Sequence, residues 1–179
     1  MRAPAFLQTR VERLERAGAV RGIIAILSDP HEKTYERAHA AKALADMASR
    51  LGDDRDAAVE VLLVAADEPS EVRRWALLAL AELHEPLAMP AFRRAALDGD
   101  WMVRIFAAHG FDRLRAHDAL VEVVRLLADR ESGVREAAAA ALASIGDGRV
   151  RPLLEHAALT DPYPWVRDAA KNALLALGG

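Results

Sequence analysis

Apolar residues recur along this chain in a frame set by five arginines, Arg37, Arg73, Arg104, Arg135 and Arg167, at spacings of 31 to 36 residues. Three residues after each stands an alanine: Ala40, Ala76, Ala107, Ala138 and Ala170. Six after come Ala43, Ala79, Gly110, Ala141 and Ala173, and seven after come Leu44, Leu80, Phe111, Leu142 and Leu174. Ten after stand Met47, Leu83, Leu114, Ile145 and Leu177; directly before stand Val72, Val103, Val134 and Val166, with Glu36 as the departure. These offsets trace one stripe of a 3.6-residue helix, with small residues where a neighbouring helix must come close. No single helix can bury such a stripe, so the period predicts a stacked-repeat solenoid.

Six residues before the arginine lies an aspartate in four units, Asp67, Asp98, Asp129 and Asp161; in the first, Asp29 stands eight before. Upstream of each is another apolar segment (20–27, 59–64, 89–97, 120–127, 150–159). Each unit therefore reads as helix A, a tight turn and helix B, over about 18–48, 55–85, 87–116, 117–146 and 149–178 of a single domain. Pro30, Pro69 and Pro162 fall in the turns, where a fixed φ and a missing amide hydrogen assist the start of helix B. Within residues 1–17, Phe6, Leu7, Val11 and Leu14 lie at helical spacing among charges, which predicts a helix capping the open end or an arm for a partner. The stretch SRLGDDRD (49–56) is expected to be an enlarged, solvated loop.

The segments EPSEVRRWALLAL (68–80), DRESGVREAAAAALASIG (129–146) and DPYPWVRDAAKNALLALG (161–178) resemble the HEAT repeat, particularly its bacterial phycobilisome-lyase-type variety. The resemblance spans residues 18–178. It implies an all-α fold, a right-handed α-solenoid of about five helical hairpins behind an N-terminal capping helix. It also implies a ladder in which the turn aspartates and helix B arginines, Asp67 with Arg73, Asp98 with Arg104, Asp129 with Arg135 and Asp161 with Arg167, bond successive units. The arginine itself is then expected to pair with the aspartate six residues earlier. With Glu36 and the displaced Asp29, the rung at Arg37 is expected to be defective.

Composition narrows the chemistry. Alanine supplies about a fifth of the chain, and strand-like β-branched runs are absent. With no cysteine, disulfides, thiolate catalysis and cysteine-ligated zinc are excluded. No apolar run approaches the ~20 residues of a membrane span, and MRAPAFLQTR lacks a signal-peptide core. A soluble, cytoplasmic protein is expected, without cofactor or metal.

In the resembled family the B helices line the concave side, so the columns of helix B beside the core stripe are the candidate binding face. There Trp75, Leu78, Met102, Ile105 and Phe106 gather large groups in units two and three, while Gly133, Ala137 and Ala140 leave room in unit four. Glu71, Glu82 and Arg113 rim that floor, with His109 beside it. Such a surface suits a peptide or helix of a protein partner, with aromatic anchors. Trp75 and Phe106 equally suit wedges between neighbouring B helices, and Trp101 and Trp165 suit staples of the A–B turn. The second reading is a small-molecule-binding protein or a lyase- or isomerase-like enzyme with an apolar cleft over units two to four. A HEAT-like alkylpurine DNA glycosylase is disfavoured. The face sets Lys42, Arg74 and Arg113 against Asp46, Glu71, Glu82, Glu136 and Asp168, and phosphate binding needs the opposite excess. His39 and His109, two units apart, cannot share a proton or a metal. Leu177-Gly178-Gly179 follows helix B directly, which predicts a C-terminal unit that is frayed, self-associating or docked on a partner.

Overall fold

The computed structural model describes residues 9–68 and 70–178, so Phe6, Leu7 and Pro69 lie outside the described residues. All regular structure among them is helical. In order come α1 (Arg10–Arg16), α2 (Val20–Ser28), α3 (Thr34–Asp46), α4 (Arg55–Ala65), α5 (Ser70–Glu82), α6 (Met89–Ala95), α7 (Trp101–Arg113), α8 (Leu120–Leu127), α9 (Ser132–Ile145), α10 (Arg151–Thr160) and α11 (Pro164–Gly178). Two compact units divide the chain, 1–83 and 84–179. In the first, α2 pairs with α3 and α4 with α5; in the second, α6 pairs with α7, α8 with α9 and α10 with α11. The all-α solenoid architecture follows, with successive B helices side by side: α3 on α5, α7 on α9 and α9 on α11.

The stripe explains that packing. The alanines three residues after each arginine are wholly buried, and Phe111 and Leu142 between them are equally inaccessible. Each such large side chain contributes about 2 kcal/mol of apolar burial, provided the backbones approach closely enough to leave no gap. Gly110 shows how tight the fit is. An ideal Cβ there would lie 2.5 Å from Phe92 Cδ1, so the ring of Phe92 takes the place of the alanine methyl found in the other units. Phe92 then meets Phe111 edge to face, with centroids 6.3 Å apart.

At the beginning of the described chain, Thr9 caps α1 by accepting from the Glu12 amide at 3.1 Å, and Glu12 returns the bond to the Thr9 amide at 3.0 Å. α1 lies on α2 and α3, with Val11 buried. The expected loop at 49–56 is a correction: it forms two 3-10 turns, Ala48–Arg50 and Gly52–Asp54, and α4 already begins at Arg55. Leu51 between the turns is buried, an apolar anchor that a charge-based reading of the stretch overlooks.

Four of the turns are built around an aspartate. Asp29, Asp98, Asp129 and Asp161 all accept, through Oδ1, the amide two residues on, at 2.9 to 3.0 Å. The arginine locks onto the turn's main chain: Arg104 Nη1 donates to the carbonyls of Asp98 (2.8 Å) and Gly99 (3.2 Å), and Arg135 Nη1 to those of Asp129 and Arg130 at the same distances. Contact with the aspartate six residues earlier is thus through its carbonyl, which corrects the expected carboxylate pairing. The carboxylate belongs to the preceding arginine. Arg104 grips Asp129 through Nε at 2.7 Å and Nη2 at 2.8 Å, and Arg135 grips Asp161 at 2.6 and 3.0 Å. A planar guanidinium can serve both partners because its donors are fixed in a fork.

The first unit also departs from expectation. Arg37 is bidentately paired, with Glu68 rather than Asp67, one bond being Nη2 to Oε1 at 2.5 Å. Its own anchor is the carbonyl of Leu27, at 2.8 Å from Nε, because the first turn is two residues longer. In the second turn the anchoring carbonyl is that of Glu68, at 2.9 Å from Arg73 Nε. The acceptor role has moved one residue along, and the extra methylene of glutamate restores the reach. Glu36 is the cost of the irregular unit: its Oε2 is buried with no hydrogen-bond partner.

Two predictions follow from these turns. Eleven residues after the arginine the backbone is left-handed in three units, at His84 (φ 51), Arg115 (φ 46) and Gly146 (φ 72), so only Gly146 adopts it without strain. Arg115→Gly should raise stability by about 1 kcal/mol in urea titrations, and an unchanged or lower midpoint would refute the strain. The second concerns acid. Arg135 hydrogen bonding, opposed by burial, holds the Asp161 carboxyl below its ordinary 3.8, and at Asp129 the bonds from Arg104 and the Glu131 amide outweigh the upward push of burial. Both carboxylates bind fewer protons folded than unfolded, so their stabilisation is complete above pH 3.8 and falls away as pH drops below it. Asp161→Asn should lower the urea midpoint at neutral pH and flatten its decline in acid; parallel declines in both proteins would contradict this.

Candidate functional site

The eight expected partner-binding residues fall into two groups, four in each compact unit. Glu71, Trp75, Leu78 and Glu82 lie on α5; Met102, Phe106, His109 and Arg113 lie on α7. Placement on a B helix at offsets −2, +2, +5 and +9 from the arginine puts each beside the buried stripe rather than in it. Accordingly Trp75, Leu78, Met102, Phe106 and His109 are half-buried, and Glu71 and Arg113 are exposed.

In the first unit the neighbouring helix supplies charge to this face. Lys42 of α3 forms an ion pair with Asp46 one turn on and holds its Nζ 5.8 Å from the centre of the Trp75 ring. The tryptophan is thus a half-covered platform beside a cation rather than a core wedge. Tyr35, farther along α3 and exposed, has Lys33 at 5.8 Å from its ring in the same manner.

In the second unit the face is concave where the side chains are small. A depression of about 550 Å³ opens over α7, α9 and α11, lined by Ile105, Gly133, Ala137, Ala140, Ala169 and Asn172, with Glu136 on its border. Ile105 makes the wall toward α7: its Cδ1 lies 3.2 Å from where a Cβ on Gly133 would stand. The room expected at Gly133, Ala137 and Ala140 borders this depression, but none of the eight named residues lines it. On its far side it reaches Ala169 and Asn172 of α11, two residues that the sequence analysis did not single out. Ser144, on the same helix as the alanines, is occupied with the carbonyls of Asp112 (3.2 Å) and Ala141 (2.9 Å), and so ties α9 to α7.

The turn tryptophans are less enclosed than expected of staples. Trp101 and Trp165 are each nearly half exposed, and Trp165 leans on Tyr163 with ring centres 4.8 Å apart. Two further hollows lie on the A-helix side, beside the rungs. One of about 560 Å³ involves Leu127, Leu153, His156, Thr160 and Tyr163 next to Arg135 and Asp161. The other, of about 520 Å³, involves Leu27, Val61 and Val64 next to Arg37 and Glu68. Exposed Val64 and Leu153 on the A helices were the available signal for them. Among the described residues no group of three histidine, aspartate or glutamate side chains is placed to hold a metal ion. Nor is any described helix long and apolar enough to cross a membrane.

Known proteins sharing this architecture include the CpcE and CpcF complex of phycocyanin lyase from Nostoc sp. PCC7120, with 24% identity and a TM-score of 0.77 over 99% of this chain and 68% of that one. A designed armadillo repeat protein in complex with the peptide (KR)4 is similar at 21% identity and a TM-score of 0.75, over 93% of this chain and 85% of that one. At such identity the likeness is one of fold. No curated protein matches the sequence. The model of HEAT repeats matches twice, over residues 20–101 and 94–175, and the chain belongs to the HEAT-repeat family.

Proposed function

We propose that this chain is a non-catalytic interaction scaffold that holds a peptide or helix of another protein on its B-helix face. The observation that carries the reading is the depression over α7, α9 and α11. Its walls are alanine and glycine, its one large apolar contact is Ile105, and its border carries Glu136. A surface of that kind receives an inserted side chain or a helix ridge without any group poised for chemistry. Trp75 and Phe106, half-buried on α5 and α7, have the area and the partial exposure of binding anchors. Glu71 and Arg113 are exposed to orient the partner by charge. Support from relatives is of the same kind: the designed armadillo protein is described with a bound peptide, and CpcE is described in complex with CpcF. The cysteine-free sequence fits a reducing compartment, and we place the scaffold in the cytoplasm.

The test is partner capture from the source cell followed by binding measurements with two variants. Ala140→Glu puts a carboxylate into the depression from an exposed position, and Trp75→Asp removes a half-buried anchor. Each should weaken the captured complex by at least about tenfold, equivalent to 1.4 kcal/mol, with the helical circular dichroism signal retained. Undiminished binding by both folded variants would rule out the B-helix face.

A further inference from the structure

The fifth A–B turn displays a residue type that the other turns do not. Two positions after the turn aspartate stand His31, Pro69, Asp100 and Glu131 in the first four units, and Tyr163 in the fifth. Its backbone has little freedom. Pro162 and Pro164 flank it, Pro164 disfavours a helical conformation at Tyr163, and the Tyr163 amide donates to Asp161 Oδ1 at 3.0 Å. The ring lies 5.7 Å from the guanidinium carbon of Arg135, so it is turned back toward the preceding hairpin and away from the end of the chain. Tyr163 is nonetheless 42% exposed. An exposed aromatic already held in place loses little further freedom when a ligand packs on it.

The ring borders the hollow of about 560 Å³ on the A-helix side. Val124 and Leu127 of α8 and Leu153 and Ala157 of α10 line it with apolar surface, and Leu153 is 44% exposed. The charged groups at its border divide into two sets. Asp129 and Asp161 are held by Arg104 and Arg135, and so are consumed by the rungs. Arg130, His156 and the Tyr163 hydroxyl receive no side-chain hydrogen bond from any described residue. Glu131 Oε1 lies 3.8 Å from Arg130 Nε, beyond hydrogen-bond reach. Arg130 can only donate, and the phenol and the imidazole each carry a proton to give.

We propose that this hollow between α8 and α10 is a second binding site, separate from the B-helix face, and that its ligand is a small planar aromatic carboxylate. The ring of the ligand rests on Leu127 and Leu153 against Tyr163, where an aromatic pair adds to the gain from apolar burial. Its carboxylate, which only accepts, meets the donors of Arg130, His156 and Tyr163. The size is that of a ligand pocket, for which roughly 300 to 1,000 Å³ is usual. The corresponding hollow of the first unit, beside Arg37 and Glu68, shows that the repeat by itself does not make this site. No aromatic ring lines it, and exposed Glu60 borders it, so the same groove there repels an anion.

The full chain is labelled with 3-fluorotyrosine, and the signals of its two tyrosines, Tyr35 and Tyr163, are told apart with Tyr35→Phe. Titration with 2-naphthoate should move the Tyr163 fluorine signal saturably, with a Kd on the order of 0.1 to 1 mM, and leave that of Tyr35 in place. By calorimetry, 2-naphthamide and 2-naphthylmethylammonium should bind at least about threefold more weakly. Arg130→Gln should reduce 2-naphthoate to the level of the amide. Leu153→Glu, at an exposed position, should abolish binding, with the helical circular dichroism signal of both variants unchanged. An unmoved Tyr163 signal, equal shifts at both tyrosines, or full affinity in the folded Leu153→Glu protein overturns the site. Equal affinity for acid and amide, or a preference for the ammonium probe, overturns the assignment of a carboxylate.

Discussion

Everything in this structure depends on one side chain answering two demands at once. The repeat arginine satisfies carbonyls of its own A–B turn with one edge of the guanidinium and the carboxylate of the following turn with the other. The first contact sets where helix B begins, and the second sets how far the next hairpin can slide. A lysine could not do both, because an ammonium is a point charge without a fork. Since rungs such as Arg104 with Asp129 are largely shielded from water, they are screened less by salt than surface pairs and fix register as well as adding attraction.

Sequence made the rungs and the stripe legible because both are periodic, and a column of five alanines has one explanation in a stack of helices. Where a residue acts through its neighbours' geometry, the pattern was silent. Glu68 took over from Asp67 because a turn shifted by one residue, which no single column displays. Gly110 looked like a conservative exchange for alanine until Phe92, eighteen residues earlier on another helix, was seen to occupy the missing methyl's place. The left-handed position was in principle readable at Gly146, but His84 and Arg115, which adopt the same backbone in their units, masked the column.

The candidate face was legible as a set of columns but not as a shape. Small residues at Gly133, Ala137 and Ala140 announced space, and the depression lies beside them. What the columns could not convey is that Ile105 leans into that space, or that Lys42 reaches over Trp75. Both depend on side-chain direction across two helices, which repeat offsets do not encode. The A-helix hollows were missed for a simpler reason, that the reading followed only the helices carrying the arginine.

Arg37, Arg104 and Arg135 each reach a carboxylate only 25 to 31 residues further along the chain. Loop closure over so short a span carries a small entropic cost, and that cost does not grow as hairpins are added. Ordering can therefore begin at any hairpin pair and spread outward through contacts that are all local in sequence. A chain built this way gains length without slowing its own assembly, because no step waits for distant segments to find one another.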